Sequence, residues 1–146
     1  MNAAENATIV VGTDGSEHAA RALGWAIEEA KLRDAQIHVV TAWHVPTAAY
    51  GAPGFVPLTT PSIEETFRKA AEEGAATATE QARSAGVRVD VSVKQGQPAD
   101  VLLDAAASAD LLVVGSRGHG GFVGLLLGSV SAQCAHHAPC PLVIAR

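Results

Sequence analysis

The sequence predicts one α/β domain built on a doubly wound parallel sheet, and three observations carry that prediction. Short apolar runs alternate with helical patterns along the 146 residues. The 48% hydrophobic content comes from Ala, Val and Leu, with only 4% aromatic residues, which suits a parallel sheet covered by helices. Glycine-rich turns follow both the first apolar run and the run Leu111 to Val114, at the strand ends where open α/β sheets place their ligands.

Taken in order, Thr8 to Gly12 is a β-rich run ending in Gly12-Thr13-Asp14-Gly15. Ser16 then opens a helix with Ala19, Leu23, Ile27 and Ala30 at helical spacing. Gln36 to Trp43 is the second strand. Residues 44–61 hold Pro46, Pro53, Pro57 and Pro61 and read as a long irregular loop, a candidate lid or interaction segment. Ser62 to Ala85 is an Ala/Glu-rich helix with Ile63, Phe67 and Ala70 or Ala71 on one face, stopped by Gly86.

Val87 to Val93 alternates valine with Arg88, Asp90 and Ser92, the period of a strand exposed on one side and so at an edge. Pro98 sits in the first turn of a helix whose buried stripe is Val101, Leu102 and Ala106. Leu111 to Val114 is fully apolar and central, Ser129 to His137 is the last helix, and Pro141 to Ala145 closes the chain as an edge strand. Right-handed crossovers turn this alternation of five strands and four helices into a doubly wound parallel sheet.

The composition excludes several partners. A net charge of −5 argues against non-specific nucleic-acid or acidic-membrane binding. No apolar run reaches the roughly 18 residues of a membrane span, and the N-terminus lacks the basic and apolar regions of a signal peptide, so the cytoplasm is expected. Cys134 and Cys140, the only cysteines, make no disulfide framework.

Function concentrates in two loops. If the first and fourth strands are neighbours, Gly12 to Ser16 faces the stretch from Gly115 to Ser131 across one crevice, at the point where strand order reverses. A strand that ends in glycines and restarts as a hydroxyl-bearing helix offers backbone N–H groups and a helix dipole to phosphate. Rival glycine signatures fail on spacing. No lysine follows Lys94, which removes a Walker loop, and Gly118-x-Gly120 meets Val123 where a dinucleotide fingerprint needs glycine.

The pattern Gly115-x2-Gly118-x9-Gly128-Ser129, the opening Val10-Val11-Gly12-Thr13-Asp14-Gly15-Ser16 and the ending Ala138-Pro139-Cys140-Pro141-Leu142-Val143 together resemble the universal stress protein family, in its actinobacterial form, from about Thr8 onward. The resemblance implies a Rossmann-like sheet of order 3-2-1-4-5 and an ATP-binding member. It places Gly115, Gly118 and Gly128 against phosphates and ribose, with Val114 at the strand end. Ser129 and Ser131 offer hydroxyls and the N–H groups around Val130 point at phosphate. Asp14 lies beside adenine and ribose, with Gly12 and Thr13 in the same nucleotide site, and Ala42 reads the adenine edge through main chain. Arg117, at a variable position, is inferred from its charge to pair with phosphate.

The resemblance also implies a homodimer paired through the C-terminal strand, an unpaired edge that invites such pairing. ATP, with or without Mg²⁺ held by phosphate oxygens, is the expected cofactor, and a nucleotide-dependent regulator in stress response is the expected role. A protein-interaction module using residues 44–61 around a structural nucleotide, a slow ATPase and a cyclic AMP binder are the alternatives; the protein partner and the stress signal are not legible. No residue is evidently placed to activate water, so no catalytic residue is assigned. Neither is a metal site, because His136 and His137 diverge by about 100° on their helix and Cys140 lies beyond Pro139.

Overall fold

A computed structural model describes residues 7–46, 60–118 and 127–146, with side chains of the second helix described from Ile63 onward. Most of the predicted loop, residues 47–59, lies outside the described residues, as do His119, Gly120 and Val123. In chain order the elements are β1 (Thr8–Gly12), α1 (Glu17–Arg33), β2 (Gln36–Trp43), α2 (Thr60–Ser84), β3 (Val89–Gln95), α3 (Pro98–Ala106), β4 (Leu111–Gly115), α4 (Ser129–His137) and β5 (Leu142–Ala145). The strands form one parallel sheet of order β3-β2-β1-β4-β5, the order expected.

Strand alternation decides which helix each side chain meets. Ile9, Val11, Ile37, Val39, Leu111 and Val113 project into a core shared with α1 and α2, through Ala22, Leu23 and Ala26 of the first helix and Ala75, Ala78 and Ala82 of the second. Val10, Val40, Leu112 and Val114 project the opposite way, against Val101, Leu102 and Ala106 of α3 and Cys134 of α4. The apolar content of β1 and β4 follows from this double covering. Alanine lines both helices facing the first core, so the helices lie close to the sheet.

Local chemistry sets the element ends. The Ser16 hydroxyl accepts from the Ala19 N–H at 3.1 Å and caps α1. Asp34 ends the helix in the left-handed region, φ 53°, which a short polar side chain tolerates. The predicted third strand is shifted by two residues. Gly86, φ +84°, and Val87, whose N–H donates to the Ala82 carbonyl at 3.2 Å, are consumed in closing α2, so pairing begins only at Val89. At its far end β3 continues to Gln95 because β2 offers ladder partners as far as Trp43. Helix α2 starts two residues early, at Thr60, since Pro61 is compatible with a first turn. Among the described residues no helix is long and apolar enough to cross a membrane.

The β3 edge carries a polar cross-strand pair with a titratable member. His38 Nε2 lies 2.7 Å from the Ser92 hydroxyl. Burial holds His38 below the ordinary histidine value of 6.5, against the opposing pull of the Asp90 carboxylate and with help from Lys94. A lowered folded pKa means that the unfolded chain binds more protons in the window below 6.5. His38 therefore contributes stability above that value and loses it as the pH falls through the folded pKa. Urea midpoints measured from pH 7.5 to 5 should decline on the acid side, and His38→Gln should flatten the decline; an unchanged slope would show that His38 is not responsible.

Candidate functional site

The site forms where β1 separates two directions of winding, between the turn after β1, the end of β2 and the loop after β4. In the first turn, Gly15 adopts φ +81°, which only glycine takes without strain. That turn lets Asp14 Oδ1 accept from the Ser16 N–H at 2.9 Å, so Asp14 braces the start of α1 while remaining exposed. The Thr13 N–H donates to the Val40 carbonyl at 3.0 Å, and its hydroxyl lies 2.6 Å from that of buried Thr41.

Ladder parity then fixes the main chain of Ala42. Ile37 donates to Arg88 and Trp43 accepts from Gly96, so the odd residues of β2 bond to β3. The even residues bond toward β1, as Val40 does with Thr13. Because β1 ends at Gly12, opposite Val40, the N–H and C=O of Ala42 face the space beyond it. Ala42 can therefore offer one donor and one acceptor side by side.

Across the crevice, Gly115 is required by packing. A Cβ there would lie 2.7 Å from the main-chain carbon of His18 and 2.8 Å from its oxygen, so α1 rests directly on the β4 backbone. Ser116 follows, buried, donating its N–H to the Ala145 carbonyl at 2.7 Å. Its own carbonyl accepts from the Gly128 N–H at 2.7 Å and from the Ser131 hydroxyl at 2.8 Å. Its hydroxyl lies 3.3 Å from His18 Nδ1. These bonds seat α4 against the end of β4.

The N-cap of α4 is Gly128, in extended conformation and with no side-chain cap. Its first-turn N–H groups, at Ser129 and Val130, are therefore left for solvent or an anion, and the helix dipole favours negative charge there. Ser129 is exposed on this rim, while Arg117 and Val130 are half-buried. The two sides of the crevice meet at Gly118, where a Cβ would fall 2.5 Å from Asp14 Oδ2.

The structure thus brings Thr13, Asp14, Ala42, Arg117, Gly118, Gly128, Ser129 and Val130 to one crevice. Four other expected residues are occupied within the fold. Gly12 makes room for Leu102, since a Cβ would come within 2.9 Å of its methyls. The Val114 side chain lies in the core facing α3 and α4. Gly115 serves the α1 contact described above. Ser131 is buried and donates its hydroxyl hydrogen toward the carbonyls of Ser116 and Gly128, so that proton is directed away from the rim where the expectation required it.

A cavity of about 200 Å³ adjoins the crevice, with Thr13, Asp14, Gly15, Thr41 and Ala42 on one side and Phe67, Ala70, Ala71 and Gly74 of α2 on the other. Helical spacing in the sequence puts Phe67 and Ala70 or Ala71 on one face of α2 without marking that face for a role. The signal available was Gly74, an interior helix position where glycine is otherwise unfavourable. A broader depression of about 520 Å³ lies farther along α2, at Ala76, Thr77, Glu80, Gln81 and Ser84. It is open, on the exposed flank of one helix, and has no converging main-chain groups. The cysteines lie elsewhere: Cys134 is fully buried, and burial pushes both its thiol and that of Cys140 upward, against thiolate formation.

The class of protein defined by this fold and crevice is the doubly wound α/β domain with its ligand space at the topological switch point. The profile of the universal stress protein family matches residues 5–146. A universal stress protein of Thermus aquaticus is 37% identical over 142 residues, covering 95% of this chain and 98% of that protein. One from Mycobacterium tuberculosis is 35% identical over 139 residues, covering 95% of this chain but 48% of the relative, so the chain spans about half the length of that mycobacterial protein. Among solved structures, a universal stress protein from Lactobacillus plantarum superposes with a TM-score of 0.80 at 21% identity, covering 96% of this chain and 97% of the other. A universal stress protein solved in complex with cAMP gives 0.70 at 30% identity, with coverage of 96% and 97%. One from Archaeoglobus fulgidus in complex with dAMP gives 0.67 at 25% identity, with coverage of 96% and 98%. The chain belongs to the universal stress protein family.

The two rim glycines should respond differently to substitution. Gly115→Ala forces α1 away from β4 and should cost about 1–3 kcal/mol in urea unfolding. Gly118→Ala meets only the tip of the Asp14 side chain, which can swing aside, and should stay within about 0.5 kcal/mol of wild type. Equal losses would contradict this assignment of Gly115 to packing.

Proposed function

We propose that this protein binds an adenine nucleotide, ATP in the first instance, and acts as a nucleotide-dependent regulator in stress response. The observation that carries the reading is the crevice itself: α4 starts without a side-chain cap across the crevice from the open main chain of Ala42, and among the described residues Gly118 and Asp14 meet between them. The first-turn N–H groups of Ser129 and Val130 would take phosphate oxygens, with Arg117 beside them. The Ala42 main chain would take the base edge, with Thr13 and Asp14 beside base and ribose. The relatives solved with cAMP and dAMP support adenine as the base.

Each such contact contributes about 0.3–2 kcal/mol, so five or six of them with base burial support micromolar affinity, about −8 kcal/mol. Mg²⁺, if it accompanies the nucleotide, would be held by phosphate oxygens. Regulation is preferred to turnover because hydrolysis asks for a group that orients water. Asp14, the carboxylate on this rim, already accepts the Ser16 N–H through Oδ1. Bound nucleotide would stabilise the folded domain by mass action and alter the surface shown to a protein partner in the cytoplasm.

Mass spectrometry of nucleotide released from purified protein, followed by calorimetry with ATP, AMP and cAMP, tests the reading. Wild type should take up at least one of them at micromolar concentration, and Gly118→Ala, which disturbs the Asp14 contact, should bind roughly tenfold more weakly, the loss of one charge-assisted contact. Failure of wild type to take up any adenine nucleotide would overturn the proposal. A cAMP affinity well above that for ATP would move the assignment to the cyclic nucleotide.

We further propose a homodimer through β5. Among the described residues this strand pairs only with β4, and its four residues are half-exposed. The β4 ladder uses the N–H groups of Val143 and Ala145 by parity, which leaves those of Leu142 and Ile144 on the open edge. Light scattering should give twice the chain mass. Ile144→Pro removes an outward donor without breaking the β4 ladder and should give a folded monomer; a wild-type monomer would refute the pairing.

A further inference from the structure

Resting on the nucleotide reading above, we propose that Phe67 of α2 is the platform on which the base stacks, and that it sets the preference for a purine. The α2 wall of the 200 Å³ cavity is built almost entirely from small residues. Ala70, Ala71 and Gly74 lie along it, and among the described residues a Cβ at Gly74 would meet nothing within 4 Å, so the glycine leaves that part of the wall open. An interior glycine weakens a helix, yet no atom of the described residues demands it here. Phe67 is the one aromatic side chain among the described residues of the lining.

The ring is not there to complete the core. Core contacts of α2 are made by Ala75, Ala78 and Ala82, whereas Phe67 is 36% exposed. Opposite it stand the Thr13 and Thr41 hydroxyls, 2.6 Å apart, and the cavity-facing main chain of Ala42. A hydroxyl pair shares one hydrogen bond and keeps a second hydrogen to offer. One side of the space therefore presents polar groups that read an edge, and the other presents an aromatic ring. A flat heteroaromatic ring with a polar rim satisfies both at once. Stacking strength rises with ring area, so a purine benefits more than a pyrimidine from the same platform.

Calorimetry with ATP and with CTP on wild type, Phe67→Ala, Phe67→Leu and Phe67→Trp tests this assignment. Wild type should prefer ATP. Phe67→Ala and Phe67→Leu should weaken ATP roughly 5- to 100-fold while changing CTP much less, so that discrimination collapses. Phe67→Trp should keep ATP and discrimination, with fluorescence beyond that of Trp25 and Trp43 quenched on binding. The leucine variant preserves apolar bulk, and thermal melting of each variant reports folding. ATP affinity of Phe67→Leu within twofold of wild type would overturn the platform, as would equal losses for ATP and CTP. Wild type that binds neither nucleotide overturns both this inference and the reading beneath it, an outcome distinct from wild type that binds and variants that do not differ.

Discussion

The main chain at Gly115 and Ser116 holds the site together. At Gly115 the backbone of β4 lies against the backbone of α1, an approach that no side chain permits. One residue later, Ser116 bonds to Ala145 of β5, to Gly128 and Ser131 at the start of α4, and to His18 of α1. Four elements are thereby tied at a single buried residue. All of its hydrogen-bonding groups are engaged, which is what burial of so many polar atoms requires. The crevice is consequently built on a rigid floor, while its rims are left to loops.

That arrangement gives the two rim helices opposite characters. Helix α1 is capped by Ser16, and Asp14 supports the cap from outside, so its N-terminus is satisfied from within the chain. Helix α4 has no such cap. The hydroxyl that could have approached its first turn, that of Ser131, points inward to carbonyls. With glycine at the N-cap in place of a capping side chain, the helix loses only about a few tenths of a kcal/mol. The buried bonds from Gly128 and Ser131 to Ser116 offset that cost and hold α4 in place without covering its first N–H groups. The helix start is thus both fixed and chemically open, a combination suited to an anion.

Most of the fold was legible in the sequence because each element carries its own signal. Ser16 announced α1, Pro98 announced α3, and the alternation after Gly86 announced an edge strand. Where boundaries moved, a neighbouring element had claimed the residues: Val87 closes α2, and Gln95 gains a partner only because β2 is long. The crevice was half legible. Glycine, serine and aspartate are conspicuous in loops, yet their spelling does not separate a glycine that admits a ligand from one that admits a helix. Here Gly12 and Gly115 leave room for Leu102 and for the backbone of His18, and Gly118 faces Asp14.

What the sequence by itself determined is the list of elements, their alternation and the two loops that border the crevice, since periodicity, capping and turn preferences act over a few residues. What only the tertiary structure decided is the use of each group within those loops. Ser131 turns inward because Ser116 needs a donor, Ala42 opens its main chain because β1 stops short, and Phe67 reaches the cavity because α2 overhangs the end of β2. Each outcome depends on atoms brought together from distant parts of the chain, and no local pattern records a distance between them.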